Sequence, residues 1–560
     1  MPIPLTRDEL RRKDGRWLLE LDYPGGMLRV ADQDAEVSSD DGTLVYRSGL
    51  DPLDLSLTED LNEISVTITI PDVDLVRAIS RGYVLERMQA ELSRWYEGET
   101  YERRRIVLTG VIIGITFGAP GSIGKITGTL TQTSTSLGNP IVSLKVTKED
   151  MDVGFFASVL LGDPLVSEGC PSLGLYIPKI IGYPTGKAVP ALELSMTEQT
   201  ITDSKNPRWV IASHAIEADG VYIYTDRDVQ LIDSPGTVYG QPIARTTDLG
   251  TTTQVILLAA SPFTSNDQVD TGGSFFVGFS KATGGGMLNP YRTGVLLGLS
   301  DVLRTLYAES SGRKVDHGRF ESYASELNAL EVSTFINEPT TVDDWVKSHI
   351  LSIPYPVRII EGPRGLYARR RTYRPEAEDA VAVLSTAGLG GSIAVSRQTG
   401  LEPEAVETYN RIQVNYRPSA AGTTFISTIE ISPQFYDYNE TETSVSNAFN
   451  QITHICEVSA NLFGERLGVF DLRDCYDATT ATIIAAELLF RHALPRYQVT
   501  YQGGRDLESL EVGDVVLLTD DELEFTERVC TVEDVLFGRA ASQVRLEVRT
   551  DPLAFDVSTS

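Results

Sequence analysis

Few stretches of this chain place reactive residue types at a spacing that chemistry would use. Gly118-Ala119-Pro120-Gly121-Ser122-Ile123-Gly124-Lys125-Ile126-Thr127 comes nearest to a phosphate loop. Such a loop needs Gly, four residues, then Gly-Lys-Ser/Thr, so that backbone N–H groups cradle phosphate and a hydroxyl holds magnesium. Position 119 is Ala and position 126 is Ile, and a strand pattern runs on where a helix N-terminus is required. Nucleotide binding is therefore not expected. The histidines His214, His317, His349, His454 and His492 form no HExxH and no i,i+4 pair; Asp316-His317 and His454-Ile455-Cys456 are the only close ligand pairs. Zinc wants three or four ligands, so structural histidines are the reading. Asp520-Asp521-Glu522 lacks the Gly and twelve-residue spacing of a calcium loop and reads as a solvated hairpin tip. No Gly-x-Ser-x-Gly elbow occurs. A glycosidase pair among 78 Asp and Glu would leave no sequence mark. No catalytic, cofactor-binding or metal-binding residue is assigned, no cofactor is called for, and the chain is not expected to be an enzyme.

The elements that would carry such residues are mostly strands. Trp17-Leu-Leu-Glu-Leu21 and Met27-Leu-Arg-Val30 flank a Pro-Gly-Gly turn, and residues 64–70 alternate cleanly before Pro71. Residues 90–95, 106–115 and 123–130 also read as strands. Residues 209–258 hold several short β patterns between Gly- and Pro-rich punctuation. Helical spacing appears at Leu296, Leu299, Val302, Leu303 and Leu306, with Pro290 at the start and Ser310-Ser311-Gly312 at the end. Thr341-Val342-Asp343-Asp344 opens a second helix in the manner of a capping box. A third runs over 478–494 and stops at Pro495. Behind it come four short strands with Gly at the corners, over residues 496–552. Closing them into an antiparallel barrel would remove their edges.

Composition narrows the classes. A length of 560 residues suggests roughly three to four domains. The balance of 48 Lys and Arg against 78 Asp and Glu gives a net charge of −30, which argues against a sequence-independent grip on nucleic acid. Five arginines within residues 364–374 read as a solvated strand face or as the counterpart of an acidic partner in the same assembly. Cys170, Cys456, Cys475 and Cys530 are scattered, so reduced thiols are expected rather than a disulfide framework. No stretch approaches the length of a transmembrane segment, and the first residues lack a signal-peptide pattern; a soluble product is expected. Tyrosine clusters, Val221-Tyr-Ile-Tyr224 and Phe435-Tyr-Asp-Tyr438, suit either protein interfaces or cross-strand pairs.

The C-terminal order is helix, Pro-Arg, strand, Gly503-Gly504, then Leu510-Glu511-Val512-Gly513-Asp514-Val515-Val516, with Tyr409-Asn410-Arg411-Ile412-Gln413-Val414-Asn415-Tyr416 upstream. This resembles the last barrel of central hub proteins in tailed-phage baseplates and tail tips, a family found also in phage-like gene transfer agents. The resemblance implies a mainly β, multidomain fold: a first hub-type antiparallel β-barrel domain at 1–170, an inserted β-rich domain at 171–289, α+β connecting domains at 290–406, and a last hub β-barrel domain with its preceding helix at 407–560. It further implies a structural virion protein of the tail tip, made in the bacterial host cytoplasm. Such a protein would be a homotrimer that closes the tail tube and takes part in host cell attachment and genome ejection. Its expected partners are the distal tail protein ring, the tail tube, the tape-measure protein, and spike or tail fibre proteins, with passing contact with genomic DNA in the lumen and no stable nucleic-acid binding. The alternatives are a β-rich tail-associated glycan depolymerase and a host-receptor-binding protein acting through the insertion.

Overall fold

The structure is a computed structural model. It describes residues 10, 13–23, 26–51, 53, 55–57, 63–69, 89–117, 125–132, 140–143, 145, 175–184, 189–193, 208–212, 214, 216–218, 222–226, 229–230, 243–246, 254–257, 275–278, 284–311, 313–351, 355–362, 365–371, 375–388, 390–404, 407–419, 424–432, 452, 455–538 and 541–549. The Gly118–Gly124 part of the loop-like motif, Cys170, Arg364, Arg374, His454 and the Phe435 to Tyr438 cluster lie outside these residues.

The chain begins in a sheet built from β1 (Gly15–Tyr23), β2 (Gly26–Ala31), β3 (Ala35–Ser39), β4 (Gly42–Ser48), β6 (Glu63–Thr69), β7 (Gln89–Tyr96), β8 (Arg105–Phe117) and β9 (Lys125–Gln132). Its order is β3-β4-β2-β1-β7-β8-β9-β6, and among the described residues the end strands β3 and β6 do not pair with each other. The period of two in the sequence sends Trp17, Leu19 and Leu21 to one face and Leu18 to the other. Both faces are covered, because the β3–β4 hairpin encloses Leu18, Val37, Tyr46 and Trp95 in a small second core. The intervening β5 (Leu55–Leu57) leaves this sheet and pairs with a strand near the C-terminus.

In the insertion, β11 (Val189–Glu193), β12 (Arg208–Ala212), β14 (Tyr222–Asp226), β15 (Val229–Gln230), β16 (Ile243–Thr246), β17 (Gln254–Leu257) and β18 (Phe275–Gly278) make a seven-stranded sheet. Two short ladders flank it, one within the insertion and one to the connecting region. They are β13 (Ile216–Ala218) with β19 (Gly284–Met287), and β10 (Lys179–Ile181) with β20 (Thr334–Ile336).

The connecting region holds α1 (Leu299–Ser310), α2 (His317–Ser322), α3 (Ala324–Leu327), α4 (Val342–Val346) and the hairpin β21 (Val357–Gly362)–β22 (Gly365–Arg370). Helix α1 starts later than Pro290 suggested. Asn289 accepts from the N–H groups of Tyr291 and Arg292, and Leu288 bridges Val295, so the backbone there is spent on a turn. Thr341 does cap α4, accepting from Asp344 N, and a π turn over Lys347–Leu351 follows.

The C-terminal sheet takes in more chain than its sequence pattern indicated. It contains β23 (Ala380–Ser385), β24 (Ile393–Arg397) and β25 (Glu402–Pro403) besides β29 (Arg496–Gly503), β30 (Val515–Asp520), β31 (Phe525–Phe537) and β32 (Ser542–Arg549). The expected boundary at 406/407 therefore runs through a sheet. Residues 380–403 supply the parallel neighbours that a run of four antiparallel strands lacks. Strand β24 pairs both β23 and β29, so the hydrogen-bonded path β23-β30-β31-β32-β29-β24 returns to its start. The segment between is a separate layer: β26 (Arg411–Pro418), β27 (Phe425–Ile431) and β28 (Leu467–Asp471) form a three-stranded sheet under α5 (Ala478–His492). Asp477 caps α5, accepting from Thr480 N at 2.8 Å, and Ile484, Ala485 and Leu488 are buried against the sheet and the connecting helices. Two cores result. One joins the first sheet to the last, with Trp17 edge-on to Phe537 at 6.2 Å; the other joins the connecting helices to the three-stranded sheet and α5.

Candidate functional site

Where the first sheet, the connecting domain and the last sheet meet, the chain runs through the short link from β29 to β30. Arg505–Ser509 is one 3₁₀ turn. Leu507 and Leu510 are buried in the shared core, which leaves the acids at the next positions facing the neighbouring modules. A tight turn follows, in which Glu511 N donates to Asp514 Oδ2 at 2.9 Å and Gly513 N to Val532 O at 2.7 Å. Of the carboxylates of Glu508, Glu511 and Asp514, three residues apart, the first meets the first sheet and the other two meet the connecting region.

Glu508 is 1% exposed. It accepts from Tyr96 Oη at 2.5 Å and Ser542 Oγ at 2.9 Å, lies 3.5 Å from Arg94 Nε, and its carbonyl accepts from Arg105. Arg94 is itself buried and stacks over Trp17. Burial and the facing Glu508 carboxylate push the Tyr96 hydroxyl well above its ordinary range, so it stays a donor. Glu511 takes the Arg319 guanidinium on both oxygens, with Nη2–Oε1 at 2.9 Å, and accepts from Tyr367 Oη at 2.8 Å. Burial pushes its pKa up, but Arg319 outweighs burial and holds it below the ordinary carboxylate value. Asp514 pairs with Arg369 Nη1 at 2.8 Å; here burial wins and its pKa is raised.

Three arginines of the 364–374 cluster, Arg369, Arg370 and Arg371, lie among the described residues, and each faces an acid. Arg369 meets Asp514, Arg370 meets Glu487 of α5 at 2.9 Å, and Arg371 lies 3.8 Å from Glu533 of β31. Arg358 of the same hairpin, 2% exposed, also reaches Glu533 and the Val532 carbonyl. The acidic counterparts of these three arginines lie in the same chain. Guanidinium forks facing buried carboxylates fix orientation as well as distance. The joint can therefore hold three modules at set angles. Sequence reading missed it, although acids at i, i+3 and i+6 beside an arginine-rich hairpin were a usable signal.

The other candidates stay apart. His214 Nε2 accepts from Ile180 N at 2.9 Å, His317 Nδ1 from Arg304 at 3.0 Å, and His349 meets the buried Asp474 at 2.6 Å while stacking on Trp345. His492 donates from Nδ1 to the Glu407 carbonyl, and burial holds its pKa down to about 4. Burial pushes the Cys456, Cys475 and Cys530 thiols up to about 12. Among the described residues no group of three or more His, Cys, Asp or Glu could hold a metal ion. Asp520 is not the solvated tip residue expected. It is buried, and it accepts from Tyr501 Oη at 2.7 Å and from Glu522 N at 3.0 Å. Lys125 begins β9, so a strand continues there as expected.

No family model matches the chain, and no curated protein matches it in sequence. Solved structures do. A tail protein from Neisseria meningitidis MC58 is 10% identical, with 96% of each chain covered and a TM-score of 0.35. The 43 kDa tail protein of prophage MuSo2 from Shewanella oneidensis is 9% identical over 96% of this chain and 100% of its own, at a TM-score of 0.32. A component of the virion of a native gene transfer agent particle is 15% identical over 73% of this chain and 97% of its own, at 0.35.

Proposed function

We propose that this chain is a structural component of a phage tail or tail-like particle, its central hub at the tail tip. The observation that carries the reading is the C-terminal sheet. Its hydrogen-bonded path returns to its start, it is approached through α5 and Pro495, and it contains the Leu510 to Val516 motif by which the sequence resembles hub proteins. We read it as a closed barrel, and the first sheet, which shares its core, as the barrel's companion. The three-carboxylate joint suits a structural role, because its paired charges lock modules together. On this reading the protein is not an enzyme. It assembles as a homotrimer, closes the tail tube, and anchors the distal tail ring and spike or fibre proteins for host attachment and genome ejection.

Gold-labelled antibodies against the chain, applied to intact particles and to disrupted tails, test this. Label at the distal end of tails is the expected result. Blank intact and disrupted tails, with the chain remaining in the soluble fraction, would overturn it.

A further inference from the structure

The three-stranded sheet ends in two strands, β27 and β28, that pair only with β26 among the described residues. An open edge is a template for further pairing, and chains that stay alone usually blunt it with charge or bulges. These edges carry apolar side chains in the open instead: Ile426 of β27 is 63% exposed, and Leu467 and Val469 of β28 are 44% and 53% exposed. We infer that β28 of one copy pairs with β27 of a second copy of this chain, extending the sheet head to tail across the assembly. The inference rests on the tail-hub reading only for where such an assembly sits.

Direction and charge select this occupant. Strand β27 runs antiparallel to β26 and β28 runs parallel to it. A second copy laid alongside in the same sense therefore brings its β27 antiparallel to β28, the more stable pairing. That arrangement sets the Asp471 end of β28 against the Phe425 end of the second β27, beside which Arg417 is exposed. Arg417 lies in the left-handed region at φ 55, uncommon for a residue with a side chain, and makes no ion pair among the described residues. Opposite charges thus face each other at the Asp471 end of the paired edge, and Ile426, Leu467 and Val469 lie along it. The contact is heterologous, the kind that closes into a ring or runs on as a filament.

Chains carrying I426C or V469C in a C170S background, in which Cys456, Cys475 and Cys530 remain and are buried, would be assembled separately and mixed, then oxidised mildly and run without reductant beside the C170S parent. A disulfide that forms between chains only in the mixture is expected. V469C dimers formed alone, or no cross-link in a sample that is oligomeric by native mass, would overturn the proposal. Charge reversal gives a second readout, with circular dichroism checking that each variant folds. D471R and R417D should each weaken self-association about tenfold, and the double exchange should restore it. Equal loss in the double exchange would also overturn the proposal. Cross-linking with unlabelled tails would leave the edge pairing standing and remove the tail reading. Labelled tails without the cross-link would do the reverse.

Discussion

At the scale of single residues, the molecule spends its ionisable groups on holding parts together. Glu511 shows it best, since one carboxylate accepts from both Arg319 and Tyr367 across the joint. Replacing it with Gln keeps the shape and removes the charge, which should cost about 2 kcal/mol at pH 7. The sign of the pH effect follows from the folded carboxyl being held below its ordinary value of 4.5. Its stabilisation is full above the unfolded pKa and is lost as pH falls through the folded one. Asp514 runs the other way: its raised pKa makes its charge a cost at neutral pH that acid relieves. Thermal melts of wild type and E511Q at neutral pH and near pH 3 should therefore show a gap that narrows in acid. A constant gap would mean that packing, not charge, was lost.

At the scale of elements, turns decide more than helix propensity does. Gly365 opens β22 at φ +127, and a Cβ there would lie 2.4 Å from the Lys314 carbonyl. Gly388 has φ +65 with nothing within 4 Å of the same added atom. G365A should lower stability by about 3 kcal/mol and G388A by about 1 kcal/mol. Comparing their melting temperatures separates backbone strain from the clash. Equal shifts would show that the β21–β22 turn yields easily and does not set the position of Arg358 and Arg369.

At the scale of the whole molecule, the two ends of the chain share one core. Trp17 packs edge-on against Phe537, β5 pairs with β31, and Glu508 binds β7 from below that core. F537A should cost about 3–5 kcal/mol and should lower hydrogen-exchange protection in both β1 and β31. Loss confined to the C-terminal strands would show that the first sheet stands alone.

What the residues determined by themselves was local. Alternation fixed the strands around Trp17, Ile64 and Tyr497, and Thr341 and Pro495 fixed helix ends. Only the tertiary structure decided which strands share a sheet. Period-two patterning at 380–403 is indistinguishable from that at 411–431, yet the first joins the C-terminal strands and the second packs under α5. Partner choice among strands depends on contacts distant in sequence, and an ion pair such as Arg319–Glu511, 192 residues apart, leaves no trace in local spacing. The same reason hid the joint: three acids and an arginine-rich hairpin were visible as charges, and only folding brought them face to face.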